Sequence, residues 1–127
     1  MPTTLRMALN GRFWTFVVIL FHGAAAVLEI RYWEWTSGRL VGFGPEIAHD
    51  TWMLGFNQGV YNGFIAVGLA LSFTAVFRGG AKPVRAFLLL CAVVAGCLGA
   101  WSLDYPLLAV TQAGPAMLAL IGMFLAR

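Results

Sequence analysis

His22 and Glu29 stand seven residues apart, a spacing that puts both side chains on one face of an α-helix, about 20° from each other. An imidazole and a carboxyl so placed would serve as a general acid–base pair. Their separation in rise, about 10 Å, is too long for a direct nucleophile–base contact but suits action at opposite ends of a substrate. Trp33 follows Glu29 by one turn and would add an apolar wall with a polar tip. A second group of hydrogen-bonding side chains lies in the stretch LGFNQGVYNGF at 54–64: Asn57, Gln58, Tyr61 and Asn62. Gln112 supplies one more amide near the end of the chain. Amides and aromatic residues of this kind orient small ligands in mostly apolar pockets.

These polar groups sit in a very apolar chain. Of 127 residues, 61% are hydrophobic and 10% charged, against about 45–50% and about 25% in soluble domains. That composition cannot furnish a water-facing surface, and it predicts a single integral membrane domain over 1–127. The net charge of +3 is too scattered for a nucleic-acid surface and fits membrane topology instead. Cys91 and Cys97 are six apart, on different sides of a helix, and read as small buried hydrophobes. No disulfide framework is expected.

A helix needs about 20 mostly apolar residues to cross the hydrocarbon core. Four stretches qualify: about 13–33, 51–77, 86–104 and 106–126. An all-α bundle of four transmembrane helices is therefore the expected fold class. Arg6 and Arg12, the loop RGGAKPVR with Arg78, Lys82 and Arg85, and Arg127 all fall on one side if both termini are cytoplasmic. Only Arg31 and Arg39 then fall outside, so the charge bias predicts N-in, C-in. Trp33, Trp35, Trp52, Trp101 and Tyr105 gather at the outer interface as an aromatic belt. Arg6, Arg12 and Ala24–Ala26 also resemble a signal peptide, but the apolar run continues past the alanines to a full span. The outer loop, about 34–50, is expected to hold a short helix opened by Pro45.

On the second span, with Asn57 set at 0°, Tyr61 falls at about 40°, Gln58 at about 100° and Asn62 at about 140°. Gly55, Gly59 and Gly63 form a separate stripe at about 160–240°, suited to close helix packing within the chain or in a homo-oligomer. An ionisable side chain in lipid costs about 2.5–3.5 kcal/mol on insertion scales, so His22 and Glu29 should face the bundle interior. Counting down from Trp33 and Trp52, Glu29 lies level with Asn57 and Gln58, and His22 with Tyr61 and Asn62. Thr111 and Gln112 lie at similar depth, and Pro115 should bend the fourth helix nearby. The inner half offers little beyond Ser72 and Thr74. A conducting pore needs polar lining along its length, so a blind pocket open to the outside is expected, binding a small polar or amphipathic ligand.

Other readings follow from the same residues. A membrane enzyme would use Glu29 and His22 as its catalytic groups. A purely structural core, or an accessory subunit of a larger membrane complex, would use the amides to join helices. His49 and Asp50, with Glu46 and Asp104, are weak metal candidates, since no HxxxH, HExxH or cysteine spacing accompanies them. Haem would have only His22 or His49 as a histidine ligand, and a quinone would need His22, Tyr61 and Trp33. The sequence names no cofactor.

Together these residues resemble a small bacterial membrane-protein family of unknown function. The shared pattern is His22, Glu29 and Trp33, then Phe43-Gly44, then NQGVYNGF at 57–64, then Gln112 with Pro115-Ala116. NQGxYNGF is its specific part. Members often carry a Glu before the His and an EMFLW-like run after the first span, where this chain has Phe21 and Glu29-Ile-Arg-Tyr-Trp33. Relatives are sometimes labelled epimerase, but no dinucleotide fingerprint is present. The resemblance implies a multi-pass, four-helix protein of the bacterial inner membrane with these polar positions at its core.

Overall fold

The computed structural model describes residues 10–125. Among them the chain is helical, with four long helices and two short ones. The first long helix, α1, runs Gly11–Arg31. Asn10 starts it by accepting hydrogen bonds on its side-chain oxygen from the Arg12 and Phe13 amides at 3.1 and 3.2 Å, which satisfies two of the N–H groups that a helix start leaves open. The expected first span, 13–33, is cut at Tyr32, whose φ of −132° and ψ of 38° leave the helical region. Trp33–Leu40 then forms a separate helix, α2. The break is stitched by buried Thr36, whose hydroxyl lies 2.9 Å from the Tyr32 carbonyl and 3.1 Å from that of Leu28.

Pro45–Asp50 forms the short helix α3, with Pro45 at its first position. The second long helix, α4, covers Trp52–Leu71. It stops six residues before the expected limit of 77, and a turn and a 3₁₀ segment, Ala75–Phe77, follow. The helix α5 is Ala81–Ser102, and α6 spans Pro106–Leu125. Within α6, residues Ala109–Ala113 are wound as a π-helix, closed by the Gly114 amide donating to the Ala109 carbonyl. Pro115 has no N–H to return to Thr111, so the irregularity falls in the turn just before the proline.

The long helices run alternately up and down in a ring. Each neighbouring pair meets at a glycine that lets a backbone or a side chain of the partner helix close in. A methyl added at Gly11 would fall 2.6 Å from the Met123 nitrogen, tying the start of α1 to the end of α6. At Gly59 it would fall 2.9 Å from the Ala26 carbonyl oxygen of α1. At Gly68 it would meet a Leu88 methyl at 2.7 Å, and at Gly96 the Ala113 nitrogen at 2.8 Å. The core is correspondingly made of small and branched residues: Val18, Leu69, Leu89, Ala92, Val93, Ala113, Ala116 and Ala119. Close backbone approach through small residues is how helices pack in lipid, where there is no hydrophobic force between them.

Large apolar side chains point outward instead. Leu20, Phe64, Phe87, Val110 and Trp101 are among the exposed ones. Three helices, α1, α5 and α6, are long and apolar enough to cross a membrane, and only 17–22% of their apolar windows is buried within the protein. These features suggest a membrane protein. The expected fourth span, α4, matches in length at 20 residues, but Asn57, Gln58 and Asn62 dilute its apolar character, and it does not qualify on composition. Cys91 is half-buried and Cys97 exposed, both as free thiols. The expectation that both are buried therefore fails for Cys97, which lies on the outer face of α5.

At the end of the bundle away from α2 and α3, Arg85 ties three helices together. Its guanidinium donates to the Ser72 hydroxyl at 2.9 Å and to the Ser72 carbonyl at 2.8 Å. It also lies 3.8 Å from the centre of the Phe73 ring, which stacks on Phe16 of α1. Capping the last carbonyls of α4 with a cation complements the helix dipole. In sequence Arg85 reads only as a topology charge, because an arginine in the first turns of α5 and a serine thirteen residues earlier carry no spacing signal.

Candidate functional site

Asn62 is the centre of a side-chain network that joins α1 and α4 through an imidazole and a carboxyl group. Its oxygen lies 2.7 Å from Nδ1 of His22. Its amide nitrogen donates to Oε2 of Glu29 at 2.6 Å. In this orientation the Asn62 oxygen accepts, which pairs with the Nδ1–H tautomer of His22. His22 is 1% exposed, and its Nε2 has no hydrogen-bond partner. The seven-residue spacing on α1 is what allows one amide from α4 to span both groups. The glycine stripe brings that amide close enough: Gly59 is buried against α1, Gly55 against the Trp33 ring of α2, and Gly63 faces the Ala26 methyl.

Glu29 also lines a cleft of about 180 Å³ at the α2–α3 end of the bundle. Gln58, Trp33 and Ser37 share its wall, with Leu40, Val41, Phe43, Leu54 and Leu103 completing an apolar lining. Trp33 is held on two sides. Its indole N–H donates to the Thr51 hydroxyl at 3.1 Å, and its ring lies directly over Gly55, where any side chain would collide with it. The Thr51 hydroxyl in turn donates to the Ile47 carbonyl at 2.7 Å. Ser37 is fully buried, and its hydroxyl is directed at the Glu34 carbonyl at 3.4 Å.

The sequence-derived candidates divide into three groups. Glu29, Trp33 and Gln58 line the cleft, while His22 and Asn62 stand behind it. Asn57 and Tyr61 are not brought to it. Both are exposed, Tyr61 by 57%, because α4 packs through its glycine stripe and these two lie on the far side of the helix. A quinone site built from His22, Tyr61 and Trp33 is therefore not assembled. Gln112 is half-buried, with its Cβ beside Gly96 of α5, and takes no part in either the network or the cleft. His49 and Glu34 approach to 4.0 Å, both highly exposed. Among the described residues no three His, Cys, Asp or Glu side chains come together to hold a metal, so His49 and Asp50 gain no support.

Several residues of the cleft and its support carry no spacing signal. Thr51, which holds Trp33, is an ordinary polar residue at a helix boundary, and Ser37 is one within α2. Leu54 and Leu103 are indistinguishable in sequence from leucines that face outward. Phe43 was visible only as part of the Phe43-Gly44 pair.

Comparison with known proteins returns no matching curated protein and no matching solved structure. A family described as "Protein of unknown function (DUF1304)" matches residues 16–124, a stretch that takes in the His22–Asn62–Glu29 network and the whole cleft. The chain belongs to this family.

Proposed function

We propose that this is a four-span inner-membrane protein, N-in and C-in, whose cleft opens to the outer side and binds a small amphipathic ligand. The observation that carries the reading is the position of Glu29. One carboxylate oxygen is held by Asn62 from behind, while the side chain lines a cleft with otherwise apolar walls. That combination of a fixed polar group and an apolar enclosure is the usual make-up of a small-molecule site. The volume of about 180 Å³ would hold about six waters at roughly 30 Å³ each, so the ligand is compact. Arg12, Arg78, Lys82 and Arg85 at the opposite end of the bundle support the orientation by the positive-inside tendency. Arg6 and Arg127 lie outside the described residues.

Acid–base catalysis by a Glu29–His22 pair receives less support. His22 is sealed behind Asn62 and does not line the cleft, so only Glu29 would reach a substrate. The test is a screen of small amphipathic molecules by saturation-transfer NMR on the purified protein in nanodiscs. Wild type should give saturable hits, and Leu54→Trp, which fills the cleft from its wall, should lose them. An absence of hits, or hits indifferent to Leu54→Trp, would overturn the proposal.

A further inference from the structure

Resting on that cleft, its chemistry narrows the ligand class. Two donors of its wall are already used: the Trp33 indole N–H goes to Thr51, and the Ser37 hydroxyl to the Glu34 carbonyl. Asn62 contributes its donor from behind, to Oε2 of Glu29. What the wall still offers is the other Glu29 oxygen, the Gln58 amide and the surface of the Trp33 ring.

Glu29 has no cationic partner. Among the described residues, the one contact within 4.0 Å between a basic and an acidic side chain is that of His49 with Glu34. The two arginines nearest Glu29 in sequence at this end are directed elsewhere, Arg31 towards the Tyr32 ring and Arg39 towards the Trp35 ring, each at 5.8 Å. A half-buried carboxyl group in a cleft wall, with an aromatic ring in the same wall and no counter-ion among the described residues, is complementary to a positive charge.

We infer that the cleft takes a small organic cation, a protonated amine on a short aliphatic body, with Glu29 as its counter-ion, Gln58 as a hydrogen-bond acceptor and Trp33 as its wall. The ammonium would donate to the free Glu29 oxygen and to the Gln58 carbonyl. The aliphatic part would lie against Leu54, Phe43 and Leu103.

Three probes of one size and different charge test this: n-butylammonium, n-butanol and n-butyrate. Each is titrated by saturation-transfer NMR against the full-length protein in phosphatidylcholine nanodiscs at constant ionic strength. Phosphatidylcholine has no net charge and does not concentrate the cation. The expected result is saturable n-butylammonium binding at least tenfold tighter than that of the other two. Glu29→Gln should weaken it about tenfold and leave n-butanol unchanged. If n-butanol or n-butyrate binds wild type as tightly, or Glu29→Gln binds n-butylammonium as well as wild type does, the cation assignment is wrong. In that case loss of all three probes in Leu54→Trp would show that the cleft itself survives as a site. If none of the three saturates wild type, the cleft reading falls together with the cation. The wild-type comparison needs no variant, so it decides the matter even where Glu29→Gln does not assemble.

Discussion

Replacing Asn62 with alanine removes both hydrogen bonds of the central network in one step, those to His22 and Glu29. In bilayers a side-chain hydrogen bond between helices averages about 0.6 kcal/mol and reaches about 1.7 kcal/mol. Two of them bracket the loss between about 1.2 and 3.4 kcal/mol. Two features of the structure narrow it. His22 is fully buried and its Nε2 already lacks a partner, so Asn62→Ala leaves the whole ring unpaired, at a cost of about 1–3 kcal/mol for a buried polar group. Glu29 loses less, because it borders the cleft and can recruit water. The expected destabilisation is about 2–3 kcal/mol.

Asn57 is the matched control. It is the same residue type on the same helix and belongs to the same NQGVYNGF stretch, but it is exposed and should cost no more than about 0.5 kcal/mol when replaced by alanine. Reversible unfolding in mixed micelles, titrated with a denaturing detergent, measures both. If Asn57→Ala is as costly as Asn62→Ala, or Asn62→Ala costs under about 0.5 kcal/mol, the assignment of roles within this stretch is refuted. A double-mutant cycle of Asn62→Ala with His22→Ala should give a coupling of at least about 0.5 kcal/mol.

Two further expectations concern packing and topology. Gly59→Ala drives a methyl against the Ala26 carbonyl oxygen of α1 and should destabilise by about 1–3 kcal/mol. Gly63→Ala meets only an ordinary contact with Ala26 at 4.0 Å, and by helix propensity should be neutral or stabilising by up to about 1 kcal/mol in the same unfolding assay; equal losses at the two positions would contradict the α1–α4 packing. For topology, Glu34→Cys and Val76→Cys are compared in a background lacking Cys91 and Cys97. A membrane-impermeant thiol reagent should label Glu34→Cys in intact cells and Val76→Cys only after permeabilisation. Labelling of both from one side would show that α4 does not cross.

How much of this was readable from the chain can be judged at particular residues. The spacing of His22 and Glu29 sets their shared face on α1, since helical rotation per residue is a property of the backbone. The same geometry orders Asn57, Tyr61, Gln58 and Asn62 around α4. It does not say which part of that arc meets another helix. Packing decides: α4 meets α1 through Gly59 and Trp33 of α2 through Gly55, so Asn62, beside that stripe, is half-buried, Gln58 borders the cleft while staying exposed, and Asn57 and Tyr61 turn outward. Gln112 was equally unreadable, because its direction depends on the π-wound turn and on the close approach of Gly96.

Local chemistry along the chain determined the apolar helices, the short helix at Pro45 and the presence of hydrogen-bonding groups among them. Those features follow from backbone periodicity, the fixed φ of proline and the cost of exposing polar groups in lipid. Only the tertiary structure decided that helix α1 stops at Tyr32, that Asn62 bridges His22 and Glu29, and that Glu29 borders a cleft shared with Trp33 and Leu103. Each of these depends on the distance between helices remote in sequence. That distance is set by where small side chains let backbones touch, which no single helix's periodicity contains.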